Sequence, residues 1–336
     1  MNKGKEIGKL RNPFIDELLA HDPLLPHRTM ARILCAEHPE LFASINSARD
    51  AVRGRTGNHG VILRKQMKNT HEGTFREGFT GEALPVPTPF WDSTPFIFNT
   101  RKCLIMADLH IPFHCNAAIE RAVKEAKKAG CKDVLLLGDV LDHYQESDFM
   151  RVPDVSTLGQ ELKDGQQFLR WLRKRFKGRI IYKEGNHEER WANRVHKALP
   201  EAQRLLDLLT YEQMKVEDMG IEIVRERRRI VMGYLTAIHG HELGPGTYNP
   251  VNCARTLQLK AKEISLCAHW HQPCQHRVRT ISQKHIGCWG IGCLCILTPH
   301  YRPINDWNMG AAIFERLDTK GNFRIQNGTI IDGNWY

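Results

Sequence analysis

The chain has 336 residues, 41% of them hydrophobic and 26% charged, a balance that fills a folded core and excludes wholesale disorder. Lys and Arg number 48 against 38 Asp and Glu, and the net charge of +10 favours a polyanionic partner such as nucleic acid while leaving small phosphate substrates open. Lys3, Lys5 and Lys9 are followed by no apolar segment of signal-peptide type and no run is long enough to cross a bilayer, so the expected setting is a reducing cytoplasm without membrane contact.

Residues 1–80 read as a small helical domain. Met30, Ile33 and Leu34 recur at helical spacing over 28–37, and His38-Pro39 ends that helix because a residue before proline leaves the α region. Leu41, Ile45, Ala48 and Val52 then predict a second helix over 41–55, with Arg49, Arg53 and Arg55 near its end and Gly57 closing it. Two short helices with a basic second member resemble a helix-turn-helix; a plain helical cap with solvated arginines is the slightly favoured reading.

Pro85, Pro87, Pro89 and Pro95 mark residues 81–100 as an extended linker. Beyond it the pattern changes. Strands are predicted over 103–107, 134–137, 179–182, 235–238 and 264–268, with helices over 116–129 and 158–176. Strands alternating with helices make 101–336 an α/β domain. Cys103, Cys267, Cys293 and Cys295 lie in its apolar runs, where a reduced thiol acts as a small buried hydrophobe. A zinc site among Cys253, Cys267, Cys274, Cys288, Cys293 and Cys295 lacks paired Cys-x-x-Cys spacing and is the weaker reading.

Each predicted strand ends in a polar cluster. The clusters are Asp108-Leu109-His110, Gly138-Asp139-Val140-Leu141-Asp142, Gly185-Asn186-His187-Glu188, His239-Gly240-His241 and His269-Trp270-His271. Residues past the carboxyl ends of strands converge on one edge of an open sheet. Taken singly, a strand-end histidine is more often a satisfied core or surface residue, and Gly-Asp is more often a turn. Five ordered clusters of ligand-type side chains are another matter. Imidazole with carboxylate and amide oxygen suits Mn, Fe, Zn, Ni or Co, and seven ligands exceed the needs of one ion. Two ions about 3.5–4 Å apart form a clamp for phosphoester hydrolysis and lower the pKa of a bridging water.

In these motifs the chain resembles the calcineurin-like metallophosphoesterase superfamily, over roughly Cys103 to His271. The resemblance implies a β-sandwich flanked by helices, in place of the simple parallel sheet that alternation suggests. It implies two divalent transition-metal ions, manganese first among the candidates. Asp108, His110 and His271 would hold one ion, Asn186, His239 and His269 the other, with Asp139 between them. His187 would stabilise the transition state or protonate the leaving oxygen, and Asp142 would either orient that imidazole or serve as a turn residue. Three departures stand out: Ala268 replaces a glycine, His241 competes with His239 as ligand, and His143-Tyr144 stands where protein Ser/Thr phosphatases carry Arg-Gly. A looser resemblance, through the helical N-terminus and the segments Gly292–Cys295 and Asn305–Gly310, is to phage-encoded members, which points to a phage or mobile element.

Arg190, soon after His187, is placed to reach a phosphate or to form a surface ion pair. The run Arg225, Arg227, Arg228, Arg229 is a better candidate for a nucleic-acid backbone than Arg170–Arg179, a solvated helix face, with an exposed hairpin as the default reading of the run. Trp289 and Trp307 are candidates to stack on bases, with core packing as the commoner use. The leading expectation is a phosphodiesterase or nuclease acting on nucleic acid or nucleotides. Its competitors are a phosphomonoesterase acting on nucleotides or phosphoproteins, and a DNA-binding regulatory protein with a vestigial metal site. The sequence leaves the oligomeric state open.

Overall fold

A computed structural model describes residues 3–21, 25–56, 92–146, 155–198, 208–225, 227–244 and 251–336. The chain divides into two units, Met1–Pro87 and Thr88–Tyr336. Most of the predicted linker and Gly57 lie outside the described residues.

The first unit contains α1 (Lys3–His21), α2 (His27–Glu37) and α3 (Ile45–Thr56). Of the apolar positions that define the helical period, Met30, Leu34, Ala48 and Val52 are buried together with Ile15 and Phe42, Ile33 and Leu41 are partly buried, and Ile45 is exposed. His38 caps α2 through its backbone N–H, donated to the carbonyl of Leu34. Arg55 is not a free basic residue: its Nε donates to Asp16 Oδ1 at 2.7 Å, tying α3 to α1.

The second unit is built on two sheets. The seven-stranded one has the order β13-β12-β11-β2-β3-β4-β5, and the six-stranded one β1-β6-β7-β8-β10-β9. In chain order the strands run β1 (Phe96–Ile97), β2 (Lys102–Met106), β3 (Asp133–Leu137), β4 (Ile180–Lys183), β5 (Ile221–Val224), β6 (Ile230–Met232), β7 (Leu235–Ala237), β8 (Ser265–Cys267), β9 (Cys274–Arg279), β10 (His285–Gly290), β11 (Gly310–Arg316), β12 (Phe323–Ile331) and β13 (Asn334–Trp335). Helices α4 (Asn116–Lys128), α5 (Leu158–Arg175), α6 (Asn186–Ala198) and α7 (Cys253–Ala261) accompany them.

Strands β2 to β5 are mutually parallel, whereas β11 joins β2 antiparallel. The central strands are apolar on both faces because both are covered. Cys103, Ile105, Leu135, Leu137 and Ile181 face Ile230, Met232, Leu235, Ala237 and Leu266 in the core between the sheets. Their neighbours Leu104, Met106, Val134, Leu136 and Ile180 pack on the other side with Ile119, Ala122, Leu169 and Leu172 of α4 and α5. Burying each such side chain stabilises the fold by about 1.5–3 kcal/mol. This two-sheet α/β sandwich flanked by helices is the architecture that the resemblance implied, and the simple parallel sheet is set aside. The third layer exists because the seven-stranded sheet presents a second apolar face.

Two consequences matter for function. The parallel run β2-β3-β4 brings the loops after those strands to one edge. In the other sheet β7 and β8 are also parallel, so their outgoing loops emerge side by side. No helix among the described residues is long and apolar enough to cross a membrane.

Candidate metal centre

The five strand-end loops meet, and hydrogen bonds between the sheets fix how. From the seven-stranded sheet, Asp108 Oδ2 accepts the backbone N–H of His269 at 3.0 Å. In the opposite direction, His239 Nδ1 lies 2.8 Å from the carbonyl oxygen of Leu137 and donates to it. That contact orients the ring so that Nε2 faces the cleft, the usual way a second partner sets a ligand imidazole. Gly138, at φ +95°, lies against this ring, and Gly185 lies against the backbone N of Asp139; a Cβ at either place would collide.

Two groups of ligand atoms result. Asp108, His110 and His271 present theirs within 4.8 Å of one another, and so do Asp139, His239 and His269. Asn186 Oδ1 joins the second group, 3.0 Å from His239 Nε2. Asp139 Oδ2 stands between the groups, 3.2 Å from His239 Nε2 and 3.8 Å from His110 Nε2. Asp108 Oδ1 lies 3.4 Å from His271 Nε2 and 3.9 Å from His239 Nε2.

These residues fit divalent cations. Asp108 Oδ1 and His110 Nε2 are buried with no hydrogen-bond partner, an arrangement that costs roughly 1–3 kcal/mol per group unless something satisfies it. The electrostatics agree. Burial alone would depress the imidazoles of His239 and His271, yet the carboxylates of Asp139 and Asp108 push both up to about 10. His269, buried beside the positive His239, is instead held down at about 3. Burial opposes the ionisation of Asp139, but the surrounding histidines hold it well below the usual carboxylate range. The buried carboxylates of the cleft thus favour positive charge beside them. The donor set, imidazole with carboxylate and one amide oxygen, suits Mn, Fe, Zn, Ni or Co.

The backbone is bent to this end. Asp108, His110, Asp139, His269 and His271 all have φ between 50° and 69°, the left-handed region that non-glycine residues rarely adopt.

His187 is the second residue of α6, beside the two groups. Its backbone N–H donates to Asp139 Oδ1 at 2.9 Å, and its Nδ1 lies 2.6 Å from the carbonyl oxygen of Asp142. Asp142 divides its attention: its carboxylate Oδ1 is 2.8 Å from His110 Nδ1 and 3.3 Å from His187 Nδ1. The side chain thus touches both rings, and the firmer contact is to His110. His187 Nε2 faces the cleft, 3.8 Å from Asp139 Oδ2 and 3.4 Å from Arg190 Nη2. Burial would lower its pKa, but Asp139 and Asp142 raise it to about 9.

Other candidates fall elsewhere. His241, its ring 5.3 Å from that of His239, pairs through Nε2 with Glu189 Oε1 at 2.8 Å. Arg225, Arg227 and Arg228 are ion-paired with Glu184, Glu189 and Asp92, so the run is not a free basic surface. Trp289 packs in the core between the sheets, edge-on to Phe323 at 5.8 Å. Trp307 does reach the site, its ring 4.1 Å from that of His271. Ala268 belongs to the core between the sheets, where its small side chain is accommodated. Of the six cysteines weighed for zinc, Cys293 and Cys295 lie with His271, their ligand atoms within 4.8 Å.

Several residues shape the site in roles that the sequence did not assign to them. The buried carboxylate of Glu188 accepts the backbone N–H groups of Asp139, Val140, Leu141 and Gly185 and the hydroxyl of Tyr182, at 2.8–3.2 Å. Glu242 accepts the N–H groups of His239 and Gly240 and pairs with the fully buried Lys183 at 2.9 Å. Glu161 accepts the N–H groups of His143 and Tyr144, and burial pushes its carboxyl up to about 8.

No family model matches the chain. Two curated phage proteins are similar to it. Gene 54 protein of Mycobacterium phage D29 is 23% identical over 150 residues, 43% of this chain and 58% of that protein. Gene 54 protein of Mycobacterium phage L5 is 21% identical over 179 residues, 52% of this chain and 70% of that protein. The match therefore spans less than two thirds of the D29 protein. Among solved structures, a single mutant of Vps29 from Entamoeba histolytica is 15% identical, with 70% of this chain and 96% of that one covered at a TM-score of 0.36. YfcE, described as a phosphoesterase from E. coli, is 15% identical, with 63% and 87% covered at a TM-score of 0.34. Both superpositions are loose, and the chemistry of the cleft is carried by its own side chains.

Proposed function

We propose that the chain is a dimetal-dependent phosphoester hydrolase of the calcineurin-like type, acting as a phosphodiesterase or nuclease on nucleic acid or nucleotides. The observation that carries this reading is Asp139 Oδ2, 3.2 Å from His239 Nε2 in its own group of ligand atoms and 3.8 Å from His110 Nε2 in the other. Asp108, His110 and His271 would hold one ion, and Asn186, His239 and His269 the other, with Asp139 shared. When bound, such ions supply Lewis-acid stabilisation of phosphate oxygens and make water nucleophilic near neutral pH.

The chain's own groups do the rest. Asp142, through its carbonyl oxygen, holds the Nδ1–H of His187 and leaves Nε2 facing the cleft. An imidazolium there donates its Nε2 proton to the leaving oxygen, the general-acid task. Arg190, 3.4 Å from that nitrogen, offers a guanidinium to the non-bridging oxygens of the phosphate. The two triads are complete, which weighs against a vestigial centre.

The experiment pairs turnover with metal analysis. The protein loaded with Mn should hydrolyse bis(p-nitrophenyl) phosphate. In His187→Ala, kcat should fall by about 10²–10⁴ while the bound metal is retained, whereas Asp139→Asn should lose metal. A wild-type protein that binds two equivalents of Mn but turns over neither mono- nor diester would sink the proposal.

A further inference from the structure

Beside the candidate metal centre lies a pocket of about 180 Å³, lined by His110 and Asp142 at one end and by Phe113, Tyr144, Tyr301 and Trp307 along its walls. The ring centroids of Phe113 and Tyr144 are 5.2 Å apart, and those of Tyr301 and Trp307 are 6.3 Å apart. Two aromatic pairs thus frame a space continuous with the cleft. Pockets that enclose a drug-sized ligand run to about 300–1,000 Å³, so this one takes a single flat ring system.

A second groove, which shares Asn186 with the metal centre, has another character. Arg190, Arg194 and Lys197 of α6 line it at helical spacing, together with Glu189, which is paired with Arg227. Arg194 is paired with Glu146, while Lys197 is exposed. An aromatic-lined pocket and a groove with three basic residues of α6, each sharing a residue with the metal centre, suit a phosphate that carries an aromatic group and continues to further negative charge.

Resting on the phosphoesterase reading above, we infer that the Phe113–Tyr144–Tyr301–Trp307 pocket is a nucleobase subsite, seating the base of the nucleotide whose phosphate lies at the metal centre. The side chains of a phosphopeptide would supply a ring only at phosphotyrosine and no continuing polyanion for the α6 face. Base–aromatic stacking is sequence-tolerant because every base has a π-face, so the subsite selects nucleotides from other phosphates rather than one base from another.

Calorimetric binding to the Mn-loaded protein tests this without reference to turnover. AMP should bind at least about ten-fold more tightly than ribose 5-phosphate, the same phosphate and sugar without the base. Tyr301 is half-exposed, so Tyr301→Ala is not expected to disturb folding. It should weaken AMP about ten-fold and leave ribose 5-phosphate unchanged, while Tyr301→Phe keeps the wild-type preference; Phe113→Ala should repeat the loss from the facing pair. Equal binding of AMP and ribose 5-phosphate to the wild type overturns the subsite, and so does phosphotyrosine binding more tightly than AMP. A base preference in a protein that hydrolyses no phosphoester would retain the subsite and sink the hydrolase reading. Hydrolysis with no base preference would do the reverse.

Discussion

The two sheets hold their halves of the candidate metal centre by the same device, built with different partners. On the side of the seven-stranded sheet, the Glu188 carboxylate gathers four backbone N–H groups and the Tyr182 hydroxyl, without a cation. On the side of the six-stranded sheet, Glu242 gathers two N–H groups and relies on buried Lys183, a residue contributed by β4 of the other sheet. A carboxylate with five donors is self-sufficient, whereas one with two needs a counter-charge. The first half therefore stands on its own sheet, and the second depends on the contact between the sheets.

The largest effect expected from breaking this pattern is in Glu188→Ala. Removing the acceptor leaves buried N–H groups unsatisfied at about 1–3 kcal/mol each, and a loss of roughly 5 kcal/mol in unfolding free energy should appear in denaturant titration. A loss below 1 kcal/mol would mean that these loops are held by something else. Next comes Lys183→Met, which strands the Glu242 carboxylate and should cost about 3 kcal/mol. If the cation matters only as the partner of Glu242, the double variant Lys183→Met/Glu242→Gln recovers much of that loss in a double-mutant cycle. The smallest change is Tyr182→Phe. It deletes one of five donors to Glu188 and should lower stability by about 1–2 kcal/mol, with metal stoichiometry unchanged by elemental analysis.

Much of the fold was legible because β2, β3 and β4 are covered on both faces and so read as unbroken apolar runs, with α4 and α5 between them at helical period. The candidate centre was legible because ligand chemistry restricts residue types: Asp108, Asp139, Asn186, His239, His269 and His271 each follow a strand. The supporting carboxylates were not. Glu188 stands in the Gly185–Glu188 cluster and Glu242 just beyond His241, yet no spacing rule marks a glutamate as the acceptor of backbone N–H groups before the loop conformation is known. The pairing of the arginines was not legible for a related reason. Arg225, Arg227 and Arg228 look like a cationic stripe, but their partners Glu184, Glu189 and Asp92 arrive from other parts of the chain. The aromatic pocket draws on residues nearly two hundred positions apart, Phe113 to Trp307, and only folding assembles it.

The positive φ angles of Asp108, His110, Asp139, His269 and His271 bear on how an ion would enter. Each such turn in a non-glycine residue is uphill by roughly 1–2 kcal/mol, an expense met when the chain first folds. The grip is consequently cocked in advance, like the jaws of a chuck set to width before the tool is inserted. That backbone cost belongs to the fold, so an ion held by these residues would not have to supply it.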